Sequence, residues 1–276
     1  MKWSIVTDSG CEYKGIDTKE LCFEKVPFVI RIGDTDYVDD ESLCVEDMMT
    51  AMEQSDEISR TSCPSPDSWY NKFIKADNII AITISSGVSG SYNSAVVAKD
   101  MVMENYPEKK IFILDSLSAG SAPSLFACMA ENLILGGLEF DEIVDRLQSY
   151  ADGTKTIFAL SSFGNLIKNG RMNRLVGALA GKLGIWGLGG ASEDGKIISK
   201  GKVRGPKKVL SAIIDDMKEH GFKGGNIFIT HCQNIELATS LKNLIREIWQ
   251  MTHITIIQAS GLCSYYAERN GLIVAY

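Results

Sequence analysis

A chain of 276 residues that is 45% apolar has enough hydrophobic material for one large or two medium domains, and is too apolar to be disordered. Its formal charge of −7, without a long basic run, makes it a poor nucleic-acid binder. Seven scattered cysteines with no C-x-x-C pair argue against a disulfide framework or a zinc site. Trp3–Thr7 reads as a first strand ending at Asp8-Ser9-Gly10. Asp8 comes too early for a secretory leader, and no apolar run is long enough to span a bilayer, so the expectation is a cytoplasmic protein.

Val26–Ile32 reads as a second strand, turned at Gly33-Asp34 into a hairpin with Thr35–Val38. Helical spacing runs from Glu41 to Glu53, with Met48, Met49 and Met52 as core filler. Thr61 and Ser62 fall in a loop with free hydroxyls. The helix after them is opened by Ser65 as cap, Pro66 as first residue and Asp67 as early acid. Ile79–Ile84 is a strand, Ser85–Ser91 a serine-glycine loop and Tyr92–Met103 a helix. That order makes an anion site, because the first helical amides lack intrahelical acceptors and the peptide dipoles favour negative charge. The plain alternative is a serine-capped connection. Ile111–Asp115 is a further strand, followed by small polar residues to Ser121 and by helices at Ala122–Leu135 and Phe140–Ala151. Strand and helix alternate, which predicts an α/β fold with a largely parallel sheet. Asp8, Ser85–Ser91 and Asp115–Ser121 would share the rim at its carboxyl ends.

The pattern changes near Ala151-Asp152-Gly153, and the expected division is residues 1–152 and 153–276. Thr156–Leu160 is a strand. Leu175–Leu183 is small and apolar, suited to close helix packing, and Gly184–Gly190 is glycine-rich. Strands at Lys196–Val203, Asn226–Thr230, His253–Gln258 and Leu272–Ala275 alternate with helices at Pro206–Glu219 and Ile235–Trp249, giving a second α/β unit.

No cofactor motif survives inspection. Gly177-x-x-x-Gly181-Lys182 is one spacer short of a Walker A sequence and lacks its Ser/Thr, and Gly187-x-Gly189-Gly190 is too short for a dinucleotide fingerprint. His220, His231 and His253 have no metal-ligand spacing. Gly87-Val88-Ser89-Gly90-Ser91 is one residue from a nucleophile elbow, and the order Ser89, Asp115, His231 matches that of α/β-hydrolases. No upstream glycine cluster supplies a second oxyanion donor, so a serine esterase using Ser89 stands as the alternative. Lys196, Lys200, Lys202, Arg204, Lys207 and Lys208 form either a solvated face or a docking patch for anionic lipid headgroups or an acidic partner.

Five stretches in order resemble the DegV family of bacterial fatty-acid-binding proteins. They are Ile5–Ser9, Thr61-Ser62-Cys63-Pro64-Ser65-Pro66, Ile84–Ala95, Gly170-Arg171-Met172, and Asp194–Ile197 with Lys202–Lys208. The resemblance implies two α/β domains, the first with a largely parallel sheet and the second with a mixed one, burying a long-chain fatty acid between them. It implies that Thr61 and Ser89 hold the carboxylate, with Ser62, Gly90 and Arg171 close by. It implies a binding protein and not an enzyme, with no cofactor. Some members present the acyl chain to a separate ATP-using kinase subunit, which makes acyl phosphate for phospholipid metabolism. The chain departs from the family's T-H-x-G-P-G pattern at Gln258–Cys263, where Ala259 takes the histidine position.

Overall fold

The computed structural model describes residues 2–55, 57, 59–173 and 184–276. The chain begins with strands β1 (Trp3–Asp8), β2 (Leu21–Val26), β3 (Val29–Ile32) and β4 (Thr35–Val38), then helix α1 (Val45–Gln54) and strand β5 (Ser59–Ser62). Helix α2 (Pro66–Phe73), β6 (Asn78–Thr83), α3 (Ser91–Asn105), β7 (Lys110–Asp115), α4 (Ser121–Leu135) and α5 (Phe140–Gly153) follow. The remainder is β8 (Thr156–Leu160), α6 (Gly164–Lys168), β9 (Ile185–Ala191), β10 (Ile197–Arg204), α7 (Pro206–Glu219), β11 (Gly225–His231), α8 (Ile235–Ile248), β12 (Thr252–Gln258), α9 (Gly261–Ala267) and β13 (Leu272–Ala275). Among the described residues no helix is long and apolar enough to cross a membrane.

The first sheet has the order β2-β1-β6-β7, with every pair parallel. Helices cover both faces, which is why β6 is a continuous buried run without polar alternation. Ile5, Ile80 and Ile82 pack under α4 and α5. Their neighbours Val6, Ile79 and Ala81 point the other way, onto Trp69 and Phe73 of α2 and Ala95 and Ala98 of α3. The second sheet, β10-β9-β8-β13-β11-β12, is antiparallel except between β11 and β12. One face packs on α7 and α8 through Ile157, Ala159, Leu188 and Val274. The opposite face, carrying Phe158 and Leu160, turns toward the first half of the chain.

A small antiparallel sheet, β4-β3-β5, completes the fold. Ile30 and Ile32 of β3 and Met48 and Met49 of α1 share a buried cluster with Leu160, Phe163, Leu166 and Tyr265. Arg269, just after α9, holds α1 from outside by donating to Glu46 (2.7 Å) and Glu53. First-half residues thus complete a core with second-half ones.

Several expectations change. Val26–Ile32 is not one strand: Pro27, lacking an amide hydrogen, separates β2 from β3. The helix expected from Glu41 begins at Val45. Thr61 and Ser62 do not lie in a loop but end β5, where Thr61 pairs with Ile30. The glycine-rich stretch is β9, a central strand. The small apolar segment from Leu175 to Leu183 lies outside the described residues.

Candidate functional site

At the carboxyl end of β1, the buried Asp8 carboxylate accepts from the amides of Gly10 (3.1 Å) and Ile84 (2.9 Å) and from Ser91 Oγ (2.6 Å). Burial pushes its acid up to about 6, against the pull of these bonds. Asp8 therefore pins the end of β6 and the start of α3, with the serine-glycine loop suspended between them. Inside that loop the Ser85 carbonyl accepts from the amides of Val88 (3.2 Å) and Ser89 (3.1 Å), and Ser85 Oγ accepts from Gly87 N (3.0 Å). Asp115 Oδ1 accepts from Ser86 N (3.1 Å). The amides of Ser86, Gly87, Val88 and Ser89 thus already have acceptors within the protein. The loop also offers a ligand the Ser89 hydroxyl, which lines the cavity described below. Its oxygen accepts from Ser91 N (3.2 Å), so its own proton is free to donate elsewhere.

The tip of the β9–β10 hairpin closes on this loop. Ser85 Oγ donates to the Gly195 carbonyl (2.7 Å). A Cβ on Gly87 would stand 2.6 Å from the Asp194 oxygen, so only glycine allows the two backbones to touch. Arg171 spans the same seam, its Nε donating to the Val88 carbonyl (3.2 Å).

α9 supplies a third wall. Both oxygens of buried Asp39 accept from its first amides, Gly261 N (2.7 Å) and Leu262 N (2.9 Å), and Glu12 Oε2 accepts from Ser260 N (2.9 Å). Burial raises both acids, Glu12 to about 7. One and a half turns on, Tyr266 OH meets Thr61 Oγ1 at 2.8 Å, and burial pushes its phenol up.

Between these walls lies a cavity of about 880 Å3, its mouth included. Phe28, Ile84, Phe158, Leu160, Leu262 and Ile273 make its lining largely apolar, while Thr61, Ser89, Arg171 and Tyr266 bring polar groups to it. Of the residues singled out in the sequence, Thr61, Ser89 and Arg171 therefore share one cavity. Ser62 and Gly90 are exposed and do not line it. Gly90 instead abuts Cys63, whose sulfur would lie 3.2 Å from a Cβ there, so the two loops touch. Ala259 is buried and also lies outside the lining, so this segment's polar group at the cavity is Tyr266. Sequence reasoning missed Tyr266, since no motif marks it.

The hydrolase constellation is not assembled. Asp115 Oδ1 accepts from Ser86 N and Leu117 N, and His231 Nδ1 accepts from Asn234 N (3.1 Å). His231 does not line the cavity that Ser89 lines. Among the described residues no group of three or more His, Cys, Asp or Glu could hold a metal ion.

The profile described as "Uncharacterised protein, DegV family" matches residues 2–276. A DegV domain-containing protein of Streptococcus pyogenes serotype M1 is 41% identical over 278 residues, covering 100% of this chain and 99% of its own. Among solved structures, the fatty acid kinase B3 protein of Streptococcus pneumoniae, loaded with linoleic acid, superposes with a TM-score of 0.97 at 40% identity, over 100% of this chain and 99% of that one. A DegV family protein of Eubacterium eligens, loaded with heptadecanoic acid, gives a TM-score of 0.95 at 34% identity, over 99% and 98% of the two chains.

Proposed function

This chain belongs to the DegV family, and we propose that it binds a long-chain fatty acid in the cavity between its two larger sheets. Its role is binding, not catalysis, and the acid is a ligand that needs no cofactor. The observation that carries this is the cavity itself: a largely apolar space with Thr61, Ser89 and Arg171, from three separate segments, at its wall. Relatives at 40% and 34% identity crystallised with fatty acids support the same reading.

Burying sixteen to eighteen carbons yields about 12 kcal/mol gross, at about 0.8 kcal/mol per methylene, before ordering costs are subtracted. The carboxylate opposes this, since taking it from water costs several kcal/mol unless it is fully hydrogen-bonded. Ser89 and Thr61 hydroxyls offset that cost. When the Tyr266 phenol donates to Thr61 Oγ1, the threonine proton is left for the carboxylate. Arg171 adds positive charge beside Ser89. Residues 1–152 and 153–276 act as two lobes, the first carrying Thr61 and Ser89 and the second covering the acyl tail. Ser62, at the end of β5, and Gly90 each directly follow one of those hydroxyl residues without lining the cavity.

Beyond the pocket, the protein presents its acyl group to a separate ATP-using kinase subunit, as the S. pneumoniae relative's description as a fatty acid kinase protein suggests. Lys202, Arg204, Lys207 and Lys208 are exposed along β10 and the start of α7, and suit transient contact with an anionic membrane surface. Seven cysteines, all without disulfides, favour the cytoplasm. Native mass spectrometry of the purified protein tests the central reading. A co-purifying long-chain acid is expected, and failure to bind any such acid on titration overturns it.

A further inference from the structure

We propose, resting on the fatty-acid reading above, that Phe158 and Gly189 together set how much acyl tail the cavity admits. Phe158 lies on the cavity face of β8, directly across from Gly189 of β9. Opposed residues in an antiparallel pair share a face, so the phenyl ring lies over the bare glycine backbone. A Cβ on Gly189 would collide with the Phe158 ring and would stand 2.8 Å from the Ile198 carbonyl oxygen. Two residues earlier, on the same face, Gly187 gives the same room to Phe163. The two rings meet edge to face, with centroids 6.3 Å apart and planes at 87°.

Glycine weakens the interior of a strand, so two at alternate positions of a central strand call for a packing reason. The rings supply it. Phe163 is buried and blocks Phe158 on one side, Ile273 of the neighbouring β13 flanks it on the other, and β9 lies beneath it. On the side away from β9 the ring faces the cavity, whose lining it joins. The depth to which the ring sinks onto Gly189 is therefore the width left for the ligand. Gly187-x-Gly189, which makes no nucleotide fingerprint, is a seat for two aromatic rings.

The test is a chain-length profile. Wild type, Phe158→Leu, Phe158→Ala and Gly189→Ala are each titrated with straight-chain acids of twelve to twenty carbons, by displacement of a fluorescent fatty acid. Each additional methylene accommodated multiplies affinity by about four. Phe158→Ala is expected to move the tightest-binding length upward by two carbons or more, raising the twenty-carbon acid about tenfold relative to the twelve-carbon acid. Phe158→Leu moves it the same way by less, and Gly189→Ala moves it downward. An unchanged ranking in both Phe158 variants overturns the proposal, as does a folded Gly189→Ala protein with the wild-type profile. If circular dichroism finds Gly189→Ala unfolded, the Phe158 variants decide alone. Wild type binding none of the acids would refute the fatty-acid reading itself, a result seen before any variant is compared.

Discussion

The hydroxyl pair Thr61–Tyr266, joined at 2.8 Å, permits a quantitative test of the headgroup site. Thr61→Ala removes the proposed donor to the carboxylate. A hydrogen bond to a charged group is worth about 1.5–3 kcal/mol, so affinity should fall by roughly ten- to 150-fold. Tyr266→Phe leaves that donor in place and removes only the neutral bond that orients it, about 1 kcal/mol or roughly fivefold. Because Tyr266 acts through Thr61, the double variant should bind within about twofold of Thr61→Ala alone, giving a coupling of about 1 kcal/mol. Calorimetric titration with one long-chain acid measures all four proteins, with circular dichroism to confirm folding. Thr61→Ala binding as tightly as wild type would refute the site, and additive losses would refute the relay while leaving both hydroxyls as independent ligands.

Ser89→Ala should weaken fatty-acid binding by about tenfold or more, and should cost about 1 kcal/mol of stability through loss of the bond from Ser91 N; calorimetry and thermal melts read the two effects separately. Gly87→Ala drives a Cβ to 2.6 Å from the Asp194 oxygen and 2.8 Å from the Gly195 carbonyl carbon. Both are backbone, so the hairpin must lift, costing about 1–3 kcal/mol, and an unchanged melting temperature would contradict the contact. Glu12 titrates at about 7 in the folded protein against an ordinary 4.5. Its favourable contribution is complete below pH 4.5 and is lost as pH rises through 7, reaching a penalty of about 3 kcal/mol at pH 8. Wild-type melting temperature should therefore fall relative to Glu12→Gln between pH 5 and pH 8, and parallel curves would show that Glu12 ionises normally.

Much of this was legible from residue order. The unbroken apolar run of β6 could only be a strand covered on both faces, and it delivered Asp8 and the serine loop to one rim. β5 escaped notice because Ser-Arg-Thr-Ser lacks apolar alternation, and a single partner, β3, holds it in place. The glycines of Gly184–Gly190 hide the strand β9 in the sequence, and the Phe158 and Phe163 rings seated on Gly189 and Gly187 give those glycines their place. Tyr266 reaches Thr61 across 205 residues of chain, a proximity that local pattern does not carry. The amides of Gly87, Val88 and Ser89 turn back on nearby Ser85, whereas the acceptor of Ser86, Asp115, becomes its neighbour only on folding.

The small sheet and α1 also impose an order on biosynthesis. Met48 and Met49 leave the ribosome more than a hundred residues before Leu160 and Phe163, which complete their burial, and Arg269, which clamps α1, comes near the end. Until then that apolar helix face has only Ile30 and Ile32 of β3 to pack against. A chain that stops after the first sheet therefore leaves apolar surface of α1 in water, and residues 1–152 expressed alone are expected to be less soluble than the whole chain.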